Sequence, residues 1–354
     1  MRIAAVEVVP YALPFREPYV TAAGSLRQRE MALLRLTSEE GIVGLGEAVP
    51  LSLRGGTDLA QVVNELERLG ERDSLDEQTL AGDALALSPP ARCAALTALA
   101  DLRGRRAEAE HGAAAGDSPA PIRCNATLSA GDPGEVATEA LAWAEDGFSS
   151  FKLKLGSGDD LGQVRAVRDA IGPGARIRVD ANGAWDVETA KRTLSDLEEL
   201  DVELAEQPVA SSEEAVAVAG STSIPIAADE SVASRAEAER AVAMGAWSLT
   251  GVKLSKVGGP EAAIEIAEVI PTYVTSALDG PVGIAAAAQV AATLSANCGD
   301  ERGLDLAHGL ATQRLFASTV AAVGCELRGE MLHPPTGPGL GVEIDDSALE
   351  AHRL

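Results

Sequence analysis

The chain has 354 residues, 46% hydrophobic and 23% charged, which suffices for a large buried core in one or two domains. Its 54 acidic and 29 basic residues give a formal charge of −25, which argues against nucleic acid and anionic membranes as partners. No run approaches the roughly 18 apolar residues of a membrane span. Met1 to Pro10 show no apolar stretch with a small-residue cleavage site, so a cytoplasmic protein without a signal peptide is expected.

In chain order, Arg2–Ala12, Met31–Thr37 and Ile42–Glu47 read as antiparallel strands, with Ser38 to Gly41 as a turn. Helical patterns follow at Asp58–Leu69 and Pro90–Ala107. Gly44-Leu45-Gly46-Glu47 reads as a tight structural turn. These elements predict an α+β lobe over residues 1–120, with Ala109–Pro121 as the linker.

From Pro121 short β-like runs alternate with helical runs. The strands expected are Ile122–Leu128, Ser150–Lys154, Arg176–Asp180, Val202–Ala205, Ile224–Ala227, Leu249–Lys253, Thr272–Ser276 and a weak eighth near Leu304–Leu306. The helices expected between them are Pro133–Asp146, Asp160–Ile171, Asp186–Leu200, Glu213–Ala219, Ser234–Met244, Pro260–Val269 and Gly283–Ala296. This pattern predicts a (β/α)8 barrel over residues 121–322. The alternative is an open doubly wound sheet, but no GxGxxG follows the first strand. The tail, residues 323–354, carries Pro334-Pro335 and Gly337-Pro338-Gly339 and is expected to return to the first lobe.

Cys93, Cys124, Cys298 and Cys325 form no CxxC pair and read as reduced core thiols. The basic residues are more informative. Arginine is the usual cation, and only five lysines occur, four of them in two clusters: Lys152 with Lys154, and Lys253 with Lys256. Lysine accepts a proton once its pKa is lowered, whereas arginine stays protonated.

Lys154, Asp180, Glu206, Asp229 and Lys253 each fall at the end of an expected strand, spaced by 23 to 26 residues, one βα unit apart. They are therefore expected together at the C-terminal mouth of the barrel, where such barrels place their active sites. One acidic residue alone would read as a helix N-cap or a solvated loop. Three converging carboxylates repel unless a cation lies between them, and an all-oxygen ligand set suits Mg2+. A lysine beside such a cation is poised to act as a base. Lys152 shares a strand face with Lys154, and Arg178, Asp180 and Asn182 lie on one line if the strand persists. His308 is expected just after the eighth strand, in contact with substrate or in a capping role. His111, His333 and His352 receive no role, and Trp185 and Trp247 read as packing residues. Gly280-Pro281-Val282-Gly283 opens a helix and offers its N-terminus to an anion.

Lys152-Leu-Lys154, Asp180-Ala-Asn182-Gly, Glu206-Gln-Pro208, Ala228-Asp229-Glu230-Ser231 and Lys253-Leu-Ser-Lys256-Val-Gly-Gly resemble the enolase superfamily and its muconate-lactonizing-enzyme subgroup. A lysine or histidine base beside Mg2+ is the general pattern of that superfamily. Leu13-Pro14-Phe15 and Gly44-Leu-Gly-Glu47-Ala resemble the family's capping domain. The resemblance implies Mg2+ (or Mn2+) on Asp180, Glu206 and Asp229, with Glu230 behind these ligands. It implies Lys154 as base, Lys253 as acid, base or cation on the opposite face, and Lys152 orienting the substrate carboxylate. Arg178, Asn182 and Ser276 are further expected substrate contacts, and mobile cap loops are expected at Tyr19–Leu26 and Leu51–Gly56.

The family chemistry implied is removal of a proton α to a carboxylate through an enediolate. Arg178, Thr275-Ser276-Ala277-Leu278 and His308-Gly309-Leu310-Ala311-Thr312 are similar to o-succinylbenzoate synthases, which implies dehydration in menaquinone biosynthesis. Lys256-Val257-Gly258-Gly259 departs from many members of that group. The alternatives are muconate cycloisomerase, N-succinylamino-acid racemase and dipeptide epimerase. Asp305-Leu306-Ala307 lacks the second aspartate of the epimerases' Asp-x-Asp. A reading of another class is a non-catalytic barrel that binds a small acid. The expected partner is a small-molecule carboxylate, and the expected assembly is a homo-oligomer.

Overall fold

The computed structural model describes residues 1–21, 24–52, 56–72, 74–111, 120–297 and 306–354. Cys298, most of the expected linker, part of the 51–56 loop and the start of the expected eighth strand lie outside them. The first lobe opens with β1 (Arg2–Thr21) and β2 (Gly24–Ser38), paired antiparallel, and β3 (Val43–Ala48) joins the β2 edge. Tyr19 stands opposite Leu26, so the segment expected as a cap loop belongs largely to a β-hairpin. Then come α1 (Leu59–Gly70), β4 (Leu75–Asp76), α2 (Glu77–Ala84) and α3 (Pro89–His111). The carboxylates of Asp58 and Asp76 cap α1 and α2 by accepting the N–H groups of Gln61 and Thr79.

Gly44 to Glu47 is not the expected tight turn; it is the interior of β3. A Cβ at Gly44 or Gly46 would collide with the carbonyl oxygens of Ala98 and Ala94, so the two glycines let α3 press directly on the strand.

The second lobe runs β5 (Ile122–Arg123), β6 (Ala126–Leu128), α4 (Pro133–Glu145), β7 (Ser150–Lys154), α5 (Asp160–Ile171), β8 (Arg176–Asp180), α6 (Val187–Glu198), β9 (Val202–Glu206), α7 (Ser212–Ala219), β10 (Ile226–Ala228), α8 (Arg235–Met244), β11 (Leu249–Val252), α9 (Leu254–Val257), α10 (Pro260–Ala267), β12 (Thr272–Val274) and α11 (Pro281–Asn297). β6 to β12 form one parallel sheet whose spatial order is the chain order. It closes through His308 and Gly309, which bridge in parallel to Cys124 on one edge and Thr275 on the other. Asn125 N–H donates to the His308 carbonyl at 2.9 Å, and Gly309 N–H to that of Val274 at 2.8 Å. The fold is thus a (β/α)8 barrel whose eighth strand is represented among the described residues by this bridging segment, just beyond the expected 304–306. Leu204, Ala227, Leu249 and Tyr273, with Leu306 against them, form an apolar layer inside it. Among the described residues no helix is long and apolar enough to cross a membrane.

The tail carries β13 (Ala321–Val323), β14 (Glu326–Arg328), β15 (Met331–His333), β16 (Glu343–Ile344) and α12 (Asp346–Ala351). β15 pairs with β5, which splits the single strand expected at 122–128. The chain end reaches the first lobe, where Leu354 N–H donates to the Pro10 carbonyl at 3.1 Å.

The two lobes are clasped by Glu47. Its carboxylate accepts the N–H groups of Gly280 (2.6 Å) and Val282 (3.2 Å) at the start of α11, and the Tyr11 hydroxyl (2.9 Å). An anion is favoured at a helix N-terminus, so the helix opening is filled by a residue of the cap. Burial and the nearby Asp279 push the Glu47 carboxyl up to about 7, against the hydrogen bonds it accepts. This folded value lies above the ordinary 4.5, so between these limits the native state holds a proton that the unfolded chain has lost. The stability due to neutral Glu47 is complete below pH 4.5 and is lost as pH rises to about 7. Relative to Glu47→Gln, thermal unfolding of the wild type should therefore lose about 3 kcal/mol across that window. Parallel pH profiles of the two proteins would refute the shift.

Candidate active and metal site

Asp180 closes β8, Glu206 closes β9, and Asp229 follows β10. The register pairs Lys154 with Asp180 and Asp180 with Glu206, which sets these strand ends at one level. The three carboxylates are buried, and one ligand oxygen from each lies within 4.8 Å of the others. This donor set fits a hard divalent cation: it is all-oxygen, anionic and convergent.

Four ammonium groups surround the triad. Lys152 Nζ donates to both Glu206 oxygens at 2.7 and 2.6 Å and lies 2.9 Å from Asp180. Lys154 Nζ donates to Asp180 at 2.5 Å and to the Asn182 side-chain oxygen at 3.1 Å. Across the barrel Lys253 donates to the Asp229 carboxylate, and Lys256 to both its backbone and side-chain oxygens. The two β7 lysines differ in kind. Burial lowers the Lys152 ammonium, but the charges of Asp180, Glu206 and Asp229 outweigh it and raise the group overall. For Lys154 burial wins over Asp180, with Lys152 and Lys253 adding to the fall. Its side chain is also the more exposed, 23% against 7%. Burial raises the Asp180 and Asp229 carboxyls, but the lysine charges prevail and hold both well below the usual range. Burial and the charge of Asp180 raise that of Glu206 in spite of Lys152.

The strand ends are followed by unusual backbone. Asn182 and Gln207 take φ of 49° and 40°, the left-handed region that non-glycine residues rarely enter. The line from Arg178 through Asp180 therefore does not persist to Asn182. A turn brings Asn182 to the site instead, where it also donates to Glu230 at 3.4 Å. Gln207 is a residue that strand-end spacing does not single out. Its side-chain oxygen accepts the N–H groups of Asp229 (2.9 Å) and Ser231 (3.3 Å), and its amide donates to Val209 and Ser231. One glutamine thus ties the end of β9 to the turn that carries Asp229.

Not every expected substrate contact lines the mouth. Arg178 lies inside the barrel, one inward position below Asp180, where it donates to Glu203 (2.5 Å) and to the Ala307 carbonyl (2.6 Å). Ser276 sits beyond β12, with its hydroxyl on Asp279 at 2.6 Å. His308 Nδ1 accepts the Val274 N–H at 3.0 Å, a contact within the barrel wall. Trp185 and Trp247 are buried, with their indole N–H groups on Asp160 and Ser212. A cleft of about 680 Å³ beside Arg16, Asp279, Arg314 and Phe316 contains none of the five strand-end residues.

Such a barrel, with carboxylate and ammonium side chains at the strand ends and an α+β lobe joined to it, defines a class of (β/α)8 barrel proteins with a capping domain. Residues 135–348 match the enolase C-terminal domain-like family, and residues 3–110 match the mandelate racemase / muconate lactonizing enzyme N-terminal domain. The chain belongs to the enolase superfamily, in its muconate-lactonizing subgroup. It is 38% identical to the o-succinylbenzoate synthase of Thermobifida fusca over 57% of this chain and 64% of that protein, slightly less than two thirds of the relative's length. It is 29% identical to the hydrophobic dipeptide epimerase of Enterococcus faecalis over 82% of this chain and 87% of that one. The crystal structure of muconate lactonizing enzyme from Pseudomonas fluorescens superposes with a TM-score of 0.87 at 28% identity, covering 99% of each chain.

Replacing Gln207 with Leu should leave the Asp229 and Ser231 N–H groups without their acceptor and lower the unfolding free energy by about 1–3 kcal/mol in chemical denaturation. An unchanged midpoint would show that Gln207 is not the tie.

Proposed function

We propose that the enzyme removes the proton α to the carboxylate of a small organic acid, and that its reaction is dehydration to o-succinylbenzoate. The observation that carries the first part is the placement of Lys154 and Lys253 on opposite sides of one carboxylate triad. Asp180, Glu206 and Asp229 would hold Mg2+, with Mn2+ as a substitute. When bound, the ion supplies positive charge to offset the negative charge that develops on the substrate carboxylate as the proton leaves.

The protein's own groups then divide the work. Lys154, lowered by burial, takes the α-proton on Nζ. Lys152 keeps its proton and presents a fixed positive charge beside the triad. Lys253 stands opposite as a cation against the other face of the substrate, and Asn182 orients the Lys154 amine. Glu230 supports Asn182 from behind.

The choice of dehydration rests on the similarity to the Thermobifida enzyme and on the sequence motifs around Arg178, Ser276 and His308. Ala307 stands where an epimerase would carry the second aspartate of its ammonium grip. Racemisation of N-succinylamino acids and cycloisomerisation are the other outcomes of the assay.

With Mg2+ present, the purified protein should convert the cyclohexadiene carboxylate precursor to o-succinylbenzoate. Lys154→Ala should reduce turnover by about 10²–10⁴-fold while the circular dichroism spectrum stays native. In the wild type the rate should rise with pH along a limb set below the ordinary lysine value of 10.5. Absence of product, with α-deuterium exchange into N-succinylamino acids, would replace dehydration by racemisation. Full turnover by the Ala variant would remove Lys154 from the chemistry.

A further inference from the structure

Tyr273 lies in the barrel lumen directly beneath the triad, fully buried, on the inward face of β12. Its hydroxyl donates to Glu206 Oε2, the carboxylate oxygen that also faces Lys152. No other hydrogen-bond partner of this hydroxyl is found among the described residues.

The space for the ring is made by a second residue. Gly251 on β11 is the direct register partner of Tyr273. A Cβ built at Gly251 would stand 2.9 Å from the ring Cζ and 3.0 Å from the hydroxyl oxygen. Any larger residue there would push the phenol away from Glu206. Gly251 occupies the inward position between Leu249 below and Lys253 above, at the place in the strand where β9 and β10 carry Leu204 and Ala227 beneath Glu206 and Asp229. The missing side chain on β11 is thus filled by the aromatic ring from β12.

The ring is also held from below. The Arg178 guanidinium lies 5.4 Å from its centroid, within cation–π range. Arg178 is itself fixed by Glu203 and the Ala307 carbonyl. A column therefore runs up the lumen from Glu203 through Arg178 and Tyr273 to Glu206.

We propose that Tyr273, admitted by Gly251 and seated on Arg178, is a positioning residue that fixes the orientation of the Glu206 carboxylate for cation binding. This rests on the reading of Asp180, Glu206 and Asp229 as metal ligands. A carboxylate has about four acceptor directions. The phenol occupies one on Oε2, and the Lys152 ammonium, which also lies 2.9 Å from Asp180, takes one on each oxygen, so the phenol is the neutral contact that stays when a cation displaces the ammonium. The substrate-facing role expected for Arg178 is thereby exchanged for one beneath the site.

The test is calorimetric titration of Mg2+ into wild type and Tyr273→Phe, with the electron paramagnetic resonance spectrum of bound Mn2+ as a readout of ligand geometry. Loss of a hydrogen bond behind a metal ligand weakens the metal by about 10- to 100-fold, and that is the expected loss. The Mn2+ line shape should also change at saturation, while metal-free circular dichroism stays native. Gly251→Ala, which retains the hydroxyl but displaces it, should weaken Mg2+ in the same direction. If the wild type takes up no Mg2+, the metal reading falls and this inference with it. If the wild type binds and both variants bind equally well with unchanged spectra, the metal reading stands and the role given to Tyr273 is wrong.

Discussion

Three carboxylates held within 4.8 Å of one another inside a protein are the constraint around which the molecule is organised. At an effective dielectric of about 20, each pair of unit charges at that spacing repels by roughly 3–4 kcal/mol. Burial adds the cost of removing each charge from water. Four ammonium groups answer this repulsion in the structure, two from β7 and two from the segment after β11. A divalent cation would meet the same demand from the centre. The left-handed turns at Asn182 and Gln207 and the ties from Gln207 to Asp229 belong to the same problem. Groups that repel must be held by a scaffold that cannot relax.

Much of the barrel and its mouth is legible in the sequence, for a physical reason. A βα unit has a nearly fixed length, so residues at successive strand ends recur at nearly even spacing, as Lys154, Asp180, Glu206, Asp229 and Lys253 do. The scarcity of lysine makes the two clusters stand out against a background of arginine. Family resemblance then gives these residues roles that spacing alone does not supply.

What escapes the sequence depends on partners distant along the chain. Ile122–Arg123 leaves the barrel register because its neighbour is Met331–Leu332 in the tail. The glycines of β3 read as a turn because their cause, the carbonyl oxygens of Ala94 and Ala98 on α3, lies elsewhere. Nothing local distinguishes Tyr273 from an ordinary strand aromatic. Only the register opposite Gly251 reveals it as a lumen residue, and period-two alternation in both strands is the one available signal. Glu47 is hidden in the same glycine-rich motif, although it joins the lobes by occupying the start of α11.

The uneven use of lysine has a practical consequence for anyone handling the protein. Lys152, Lys154, Lys253 and Lys256 all have side chains less than a quarter exposed at the barrel mouth, and Lys191 on α6 is 36% exposed. Amine-directed reagents therefore find almost no decoys on the outer surface. Among the lysines, acylation confined to Lys191 gives one side-chain attachment point for immobilisation on the flank of the barrel, away from its opening. Slower modification of the other four lysines reports on access to the mouth, so the molecule carries its own footprinting probe for whatever occupies it.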